Sequence, residues 1–225
     1  MCRTTIAMMG TVLMAVLLVT AQRSHAAPPQ QSPPVRGYPM PGLPGIGVEQ
    51  GRDPAGNILE LLIYRGDSLL QTLKVCTDGP VPREGPVGTM DTADYNFDGY
   101  PDLALEVASA QNNASYCTWL FDPKAQRFVA SPQLSKLTNP RPDLNTQTVT
   151  SYKNNGCQGA CFAKTIYKWS KGNLVPVQYE SQVEANPGMP AVGGCGYVLT
   201  VKKPKHGQMV EVSRDRVNNI GAVCY

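Results

Sequence analysis

Residues 58–75 read Ile-Leu-Glu-Leu-Leu-Ile-Tyr, then Arg-Gly-Asp, then Ser-Leu-Leu-Gln-Thr-Leu-Lys-Val. Two apolar runs of strand length on either side of a Gly-Asp pair predict an antiparallel hairpin, because glycine supplies the backbone conformation a tight turn needs. Arg65-Gly66-Asp67 also spells an integrin-recognition tripeptide, but turn chemistry alone accounts for it. The same plan recurs in Tyr116–Phe121, Asp122-Pro123-Lys124-Ala125 and Gln126–Ala130. It returns in Thr165–Trp169, Ser170-Lys171-Gly172-Asn173 and Leu174–Glu180. The last instance is Tyr197–Lys202, Lys203-Pro204-Lys205-His206-Gly207 and Gln208–Ser213. The spacing between turns shrinks along the chain, so this is a loose recurrence and not a strict repeat. Only Pro132–Leu137 hints at a helical turn. The fold class expected is all-β, with antiparallel hairpins in a small propeller-like arrangement or, alternatively, a β-sandwich.

Upstream of these hairpins, Arg3 precedes an apolar stretch from Ile6 to Thr20 interrupted only by Gly10 and Thr11, and Ser24-His25-Ala26 ends in a small residue. That pattern predicts a signal peptide over residues 1–26 and hence export. No cysteine follows the apolar stretch, so no lipid anchor is expected there. Residues 27–47 carry Pro28, Pro29, Pro33, Pro34, Pro39, Pro41 and Pro44, which predicts an extended linker. A single domain is then expected over 48–225. Beyond residue 26 the cysteines are Cys76, Cys117, Cys157, Cys161, Cys195 and Cys224. An even count in an exported chain implies a disulfide framework, and sequential pairing is the preferred one. Cys157 and Cys161 are not spaced as a zinc pair and have little histidine to complete a site.

One segment has sharper chemistry. Asp94, Asn96, Asp98 and Asp102 place oxygen side chains at positions 1, 3, 5 and 9 of a loop, with Gly99 at position 6 and the Tyr100 carbonyl at position 7. Oxygen donors at alternate positions around a glycine suit Ca²⁺, a hard cation with flexible coordination. An EF-hand would place a glutamate at position 12, which is Leu105 here. The apolar run after Asp102 reads as a strand, so the loop sits at a strand edge.

Other classes find little support. Without residues 1–26 there are 18 Lys and Arg (20 less Arg3 and Arg23) against 17 acids, which gives no footprint for nucleic acid or a membrane surface. His206 is the one histidine beyond the signal, and the cysteines are committed to bridges. No acid, base and nucleophile can be assembled, so no enzymatic activity is expected. Two glycine-bearing loops suit protein binding instead: one carries Asn155 and Gln158 between Asn154 and Cys161, the other Gly196 and Tyr197 after Cys195.

The Asp94–Leu103 segment resembles the FG-GAP calcium motif of integrin-type propellers. With Trp119-Leu120-Phe121-Asp122, Phe128-Val129, Leu134–Leu137, Thr148–Tyr152, Tyr167-Lys168-Trp169 and Gly172-Asn173-Leu174, the chain over 91–184 is similar to immunity proteins of bacteria-killing type IV secretion systems. These are related in topology to periplasmic lysozyme inhibitors. The resemblance implies calcium ligation by Asp94, Asn96, Asp98, Tyr100 and Asp102. It also implies a periplasmic location and a lysozyme-like peptidoglycan hydrolase as the protein partner. A secreted adhesion or glycan-binding module is the alternative expectation.

Overall fold

The computed structural model describes residues 36–77, 88–185 and 196–218, all within one compact unit, Ser32–Tyr225. The predicted signal peptide, the first four linker prolines, Cys195 and Cys224 lie outside the described residues. The chain is all-β, with fourteen described strands, one short α-helical turn and one 3-10 turn, Cys157–Gly159. The strands form three antiparallel sheets, each built from consecutive strands, and none closes on itself. The first sheet contains β1 (Tyr38–Pro39), β2 (Ile46–Arg52), β3 (Ile58–Arg65) and β4 (Ser68–Lys74) in that order. The second contains β5 (Met90–Ala93), β6 (Asp102–Ala110), β7 (Asn113–Asp122) and β8 (Arg127–Ala130). After the short helix α1 (Pro132–Ser135) come β9 (Arg141–Asp143), β10 (Thr148–Asn154), β11 (Phe162–Ser170), β12 (Asn173–Glu184), β13 (Tyr197–Lys205) and β14 (Gln208–Val217). These six make the third sheet.

Each predicted hairpin is present. β3 and β4 meet across Gly66-Asp67, with Leu61 opposite Leu73 and Ile63 opposite Gln71. The fourth hairpin has a shorter turn than its sequence suggests: β13 continues through Pro204, which pairs with Met209, and only His206-Gly207 separates the strands. Both turn residues have positive φ, 51° and 81°, the conformation whose twist matches that of a two-residue hairpin.

The sheets stack through two apolar clusters. Ile58, Leu61 and Ile63 of the first sheet pack with Leu103, Leu105, Trp119, Phe121 and Phe128 of the second. The opposite face of the second sheet, through Ala104, Ala114 and Tyr116, packs with Leu134 of α1, Val149 of β10 and the half-buried Tyr167 and Trp169 of β11. The middle sheet is therefore covered on both faces, which explains why residues 102–106 are buried without alternation. Sheets sharing a core face to face match the sandwich expectation, and no propeller arrangement is formed by the described residues.

The folded part starts earlier than the proline content suggests. β1 pairs with β2, and Met40, Leu43 and Ile46 are buried in the first cluster. Residues 36–47 are thus part of the first sheet and its core, not a linker. Proline is tolerated because β1 is an edge strand, where a missing N–H breaks no ladder.

Candidate functional site

The acidic loop joins β5 to β6 and ends at the head of the central strand. Two left-handed residues, Phe97 (φ 62°) and Gly99 (φ 88°), wind it tightly. A Cβ at Gly99 would meet open space, so the backbone conformation, not room, calls for glycine. Asp94 accepts hydrogen bonds from the backbone N–H groups of Asp98 (3.2 Å) and Gly99 (2.8 Å). Asp98 accepts from the Tyr100 N–H (3.0 Å) and from the Asn96 side-chain amide (2.9 Å). The Asn96 carbonyl accepts from the Asp98 N–H (3.2 Å). Asp98 and Tyr100 are exposed, Asp94 and Asn96 half-buried.

Asp102 is different in kind. It is fully buried, with one carboxylate oxygen accepting from the Tyr95 N–H (2.7 Å) and the other from the Phe121 N–H (2.9 Å). It thereby ties the loop to β7. Its carboxyl is pushed up to about 7, by burial first. The two backbone donors pull it down, and the neighbouring Asp98 and Asp94 carboxylates raise it further. On the other side, Trp169 Nε1 donates to the Tyr95 carbonyl (2.7 Å), pinning the loop to the third sheet. Burial also raises the Tyr95 hydroxyl.

Among the described residues, no group of three or more His, Cys, Asp or Glu is disposed to hold a metal. In donor chemistry the loop fits calcium: the side chains of Asp94, Asn96, Asp98 and Asp102 all offer oxygen, and a buried carboxylate already feels two neighbouring negative charges that a cation would offset. In arrangement, those carboxylates are turned onto N–H groups of the loop and, for Asp102, of Phe121 on β7, each oxygen keeping a second lone pair.

A second loop lies between β10 and β11. Cys157 and Cys161 are bridged across it, four residues apart. Gly156, Cys157, Gln158 and Gly159 all have positive φ (98°, 52°, 56° and 93°). Two of these are not glycine, an uncommon strain that the surrounding structure must enforce. The bridge and an amide network do so. The Asn113 amide donates to the Asn154 carbonyl (2.9 Å), and its carbonyl accepts from the Asn154 N–H (2.7 Å). Asn139 donates to the carbonyls of Asn112 (2.9 Å) and Tyr152 (3.0 Å). Asn155 and Gln158 are left exposed. Between this loop and the Gln111-Asn112 turn lies a cleft of about 350 Å³ lined by amides and glycine backbone. Asn113 opens an Asn-Ala-Ser glycosylation pattern, but its side chain is engaged in this network.

Gly196 and Tyr197 occupy a different setting from the one expected. Tyr197 is half-buried and opens β13, paired with Glu184 on one side and Val217 on the other. The Gly196 carbonyl accepts from the Ala185 N–H (2.7 Å). Tyr197 therefore stands at the start of an interior strand and not on a loop tip, because both neighbouring strands extend to its level. Cys76 and Cys117 are bridged as expected; the Cys195–Cys224 pair lies outside the described residues. His206 is exposed at the β13–β14 turn. No described helix is long and apolar enough to cross a membrane.

The supports of the acidic loop, Tyr95, Phe121 and Trp169, escaped sequence reasoning. Two of them act through backbone groups, and Trp169 lies 74 residues from its acceptor. No family model matches the chain, and neither does any curated protein. Among solved structures, it is similar to one described as a Xanthomonas type IV secretion system related protein. That match has a TM-score of 0.52 and 19% identity, and it covers 75% of this chain and 90% of that one. At that identity, the likeness is one of fold.

Proposed function

We propose that this protein is a periplasmic calcium-binding protein that acts by binding, and that it inhibits a lysozyme-like peptidoglycan hydrolase in an immunity role. The observation that carries this reading is a tight, oxygen-rich acidic loop, Asp94–Asp102, at the head of the central strand of a fold shared with a type IV secretion system related protein. Export is supported by the N-terminal pattern and by two disulfides, which persist in oxidising compartments. Binding without turnover is supported by the exposed position of His206 and the bridging of the described cysteines.

In this reading Asp94, Asn96, Asp98, Asp102 and the Tyr100 carbonyl hold the ion, which stiffens the entry to β6. Gln158 and Asn155, on the bridged loop, are better placed to enter an enzyme cleft than Tyr197 and Gly196, because a rigid protruding loop loses little entropy on docking. The test is a peptidoglycan lysis assay across lysozyme-like enzymes, with purified protein at near-stoichiometric ratio. Inhibition of at least one enzyme, weakened by Gln158→Ala, is the expected result.

A second reading, a calcium-stabilised adhesion or glycan-binding module, is favoured by the uncharged, amide-lined cleft beside Gln158. Failure against the enzyme panel together with retention on a glycan array would select it.

A further inference from the structure

The near balance of charge over the whole chain conceals an asymmetry between the sheets. Residues 36–137, which span the first two sheets, carry eight Lys and Arg against twelve acids. Residues 141–218, which span the third, carry ten against five. The surplus gathers at one end of the third sheet. The β11–β12 and β13–β14 turns lie at that end, because β12 runs antiparallel to both its neighbours. Lys168, Lys171, Lys203 and Lys205 are exposed there, and no ion pair among the described residues engages them. The acids nearest in register, Glu180 and Glu211, are already paired with Lys164 (3.2 Å) and Arg214 (2.8 Å).

Strand alternation sorts these side chains by face. Trp169 marks the inner face, where it reaches the Tyr95 carbonyl. Its neighbour Lys168 is on the outer face, directly opposite Val175 of β12. Lys203 and Lys205 alternate with Val201, which is level with the Lys164–Glu180 pair on that same outer face. Lys203 in turn stands opposite Val210 of β14. Val175 and Val210 are 41% and 40% exposed, so the outer face offers aliphatic side chains set among uncompensated ammonium groups. A lysine is a hydrated point charge on a flexible stem, and lacks the paired donors with which arginine fixes the geometry of one carboxylate. Groups of this kind suit a fluid anionic surface, with the charges at headgroup level and the stems and valines against the acyl boundary.

We propose that this end of the third sheet docks on an anionic phospholipid bilayer through its outer face. Lys168, Lys171, Lys203 and Lys205 meet the headgroup phosphates, and Val175 and Val210 lie between them. The bridged loop is at the other end of β11, whose nine residues span about 30 Å. Docking therefore holds Asn155 and Gln158 away from the bilayer. The inference is independent of the hydrolase reading, since none of its residues belongs to the acidic loop or the bridged loop.

The test is vesicle co-sedimentation with a chain of residues 27–225, which holds the compact unit without the apolar leader. The vesicles are phosphatidylcholine with or without phosphatidylglycerol, and chelator excludes bridging by calcium. At low salt, binding should be at least tenfold tighter to the anionic vesicles, and molar salt should abolish it by screening. Lys168→Gln, Lys203→Gln and Lys205→Gln should each weaken it about fivefold, the effect of one ammonium at such a surface, with melting temperatures unchanged. Lys124→Gln, beside the acidic loop, should leave it unaltered. In bicelles, gadolinium carried on a lipid headgroup should attenuate the amides of residues 203–210 and spare those of residues 155–159. No preference for anionic vesicles, an equal loss for Lys124→Gln, or attenuation at residues 155–159 instead overturns the proposal. So does binding to soluble polyglutamate without binding to vesicles, which would point to an acidic protein.

Discussion

Asp102 carries two roles that substitution and pH can separate. As an acceptor for two buried N–H groups, it supports the fold whether or not an ion is present. Each buried donor left unpaired costs about 1–3 kcal/mol, so Asp102→Ala should lower stability by roughly 3 kcal/mol. For a chain of this size that is about 6–12 °C in melting temperature. Asp98 is exposed, so Asp98→Ala should change ion-free melting by a degree or two and instead remove the rise that calcium produces by binding only the folded state. Thermal melts of both variants, with calcium and with chelator, check the contrast. Calorimetry showing no calcium binding by the wild type would refute the ion assignment altogether. The proton enters in the same way. The folded carboxyl of Asp102, at about 7, holds its proton more tightly than the unfolded chain, where it titrates at about 4. The contribution of this group to stability is therefore greatest below the lower value and is lost as pH rises between the two. Ion-free protein should thus melt higher at pH 5.5 than at pH 7.5. Calcium requires the deprotonated form, so its stabilising shift should be larger at pH 7.5. An equal calcium shift at both values would remove Asp102 from the ligand set.

At the scale of elements, the bridged β10–β11 loop shows local geometry held by neighbours. Closing a loop of four residues contributes about 2 kcal/mol in the chain-entropy model, against about 4 kcal/mol for the 41-residue Cys76–Cys117 loop. Replacing Cys157 and Cys161 by serine should therefore cost about half the global stability that losing Cys76–Cys117 does. It should release Gln158 from its left-handed conformation and weaken hydrolase inhibition more than it lowers the melting temperature. Breaking Cys76–Cys117 should do the reverse: a larger loss of stability, with the distant loop intact. Peptide mass mapping of the oxidised protein should also find Cys195 joined to Cys224. Free thiols at these two positions would refute the sequential framework.

At the scale of the whole molecule, the contribution of residues 36–47 can be weighed against the apparent linker. Met40, Leu43 and Ile46 are buried in the first core cluster, and burying side chains of this size stabilises by about 1.5–3 kcal/mol each. Their sum approaches the total stability of an ordinary domain, roughly 5–15 kcal/mol. A chain starting at Arg36 should fold like the full-length chain. One starting at Val48, where the proline content alone would place the boundary, should be insoluble or melt far lower. Equal melting of the two would show the β1 segment to be dispensable.

Local chemistry determined what the sequence revealed unaided. Apolar runs around glycine turns specified the hairpins. The order of oxygen side chains from Asp94 to Asp102 specified a tight loop at a strand edge, and the cysteine order anticipated the Cys76–Cys117 and Cys157–Cys161 bridges. These features depend on contacts within a few residues or on simple counting, so they are visible without coordinates. Tertiary structure alone decided which strands share a core, because face-to-face packing joins residues that no periodicity links. It drew the proline-bearing β1 segment into the first sheet, since an edge strand tolerates a missing donor where a central one does not. It buried Asp102 beneath N–H groups from Tyr95 and Phe121. It also left the Thr118 hydroxyl buried without a hydrogen-bond partner. A side chain's burial and partners are fixed by the distant segments that pack around it, and nothing in its immediate sequence records them.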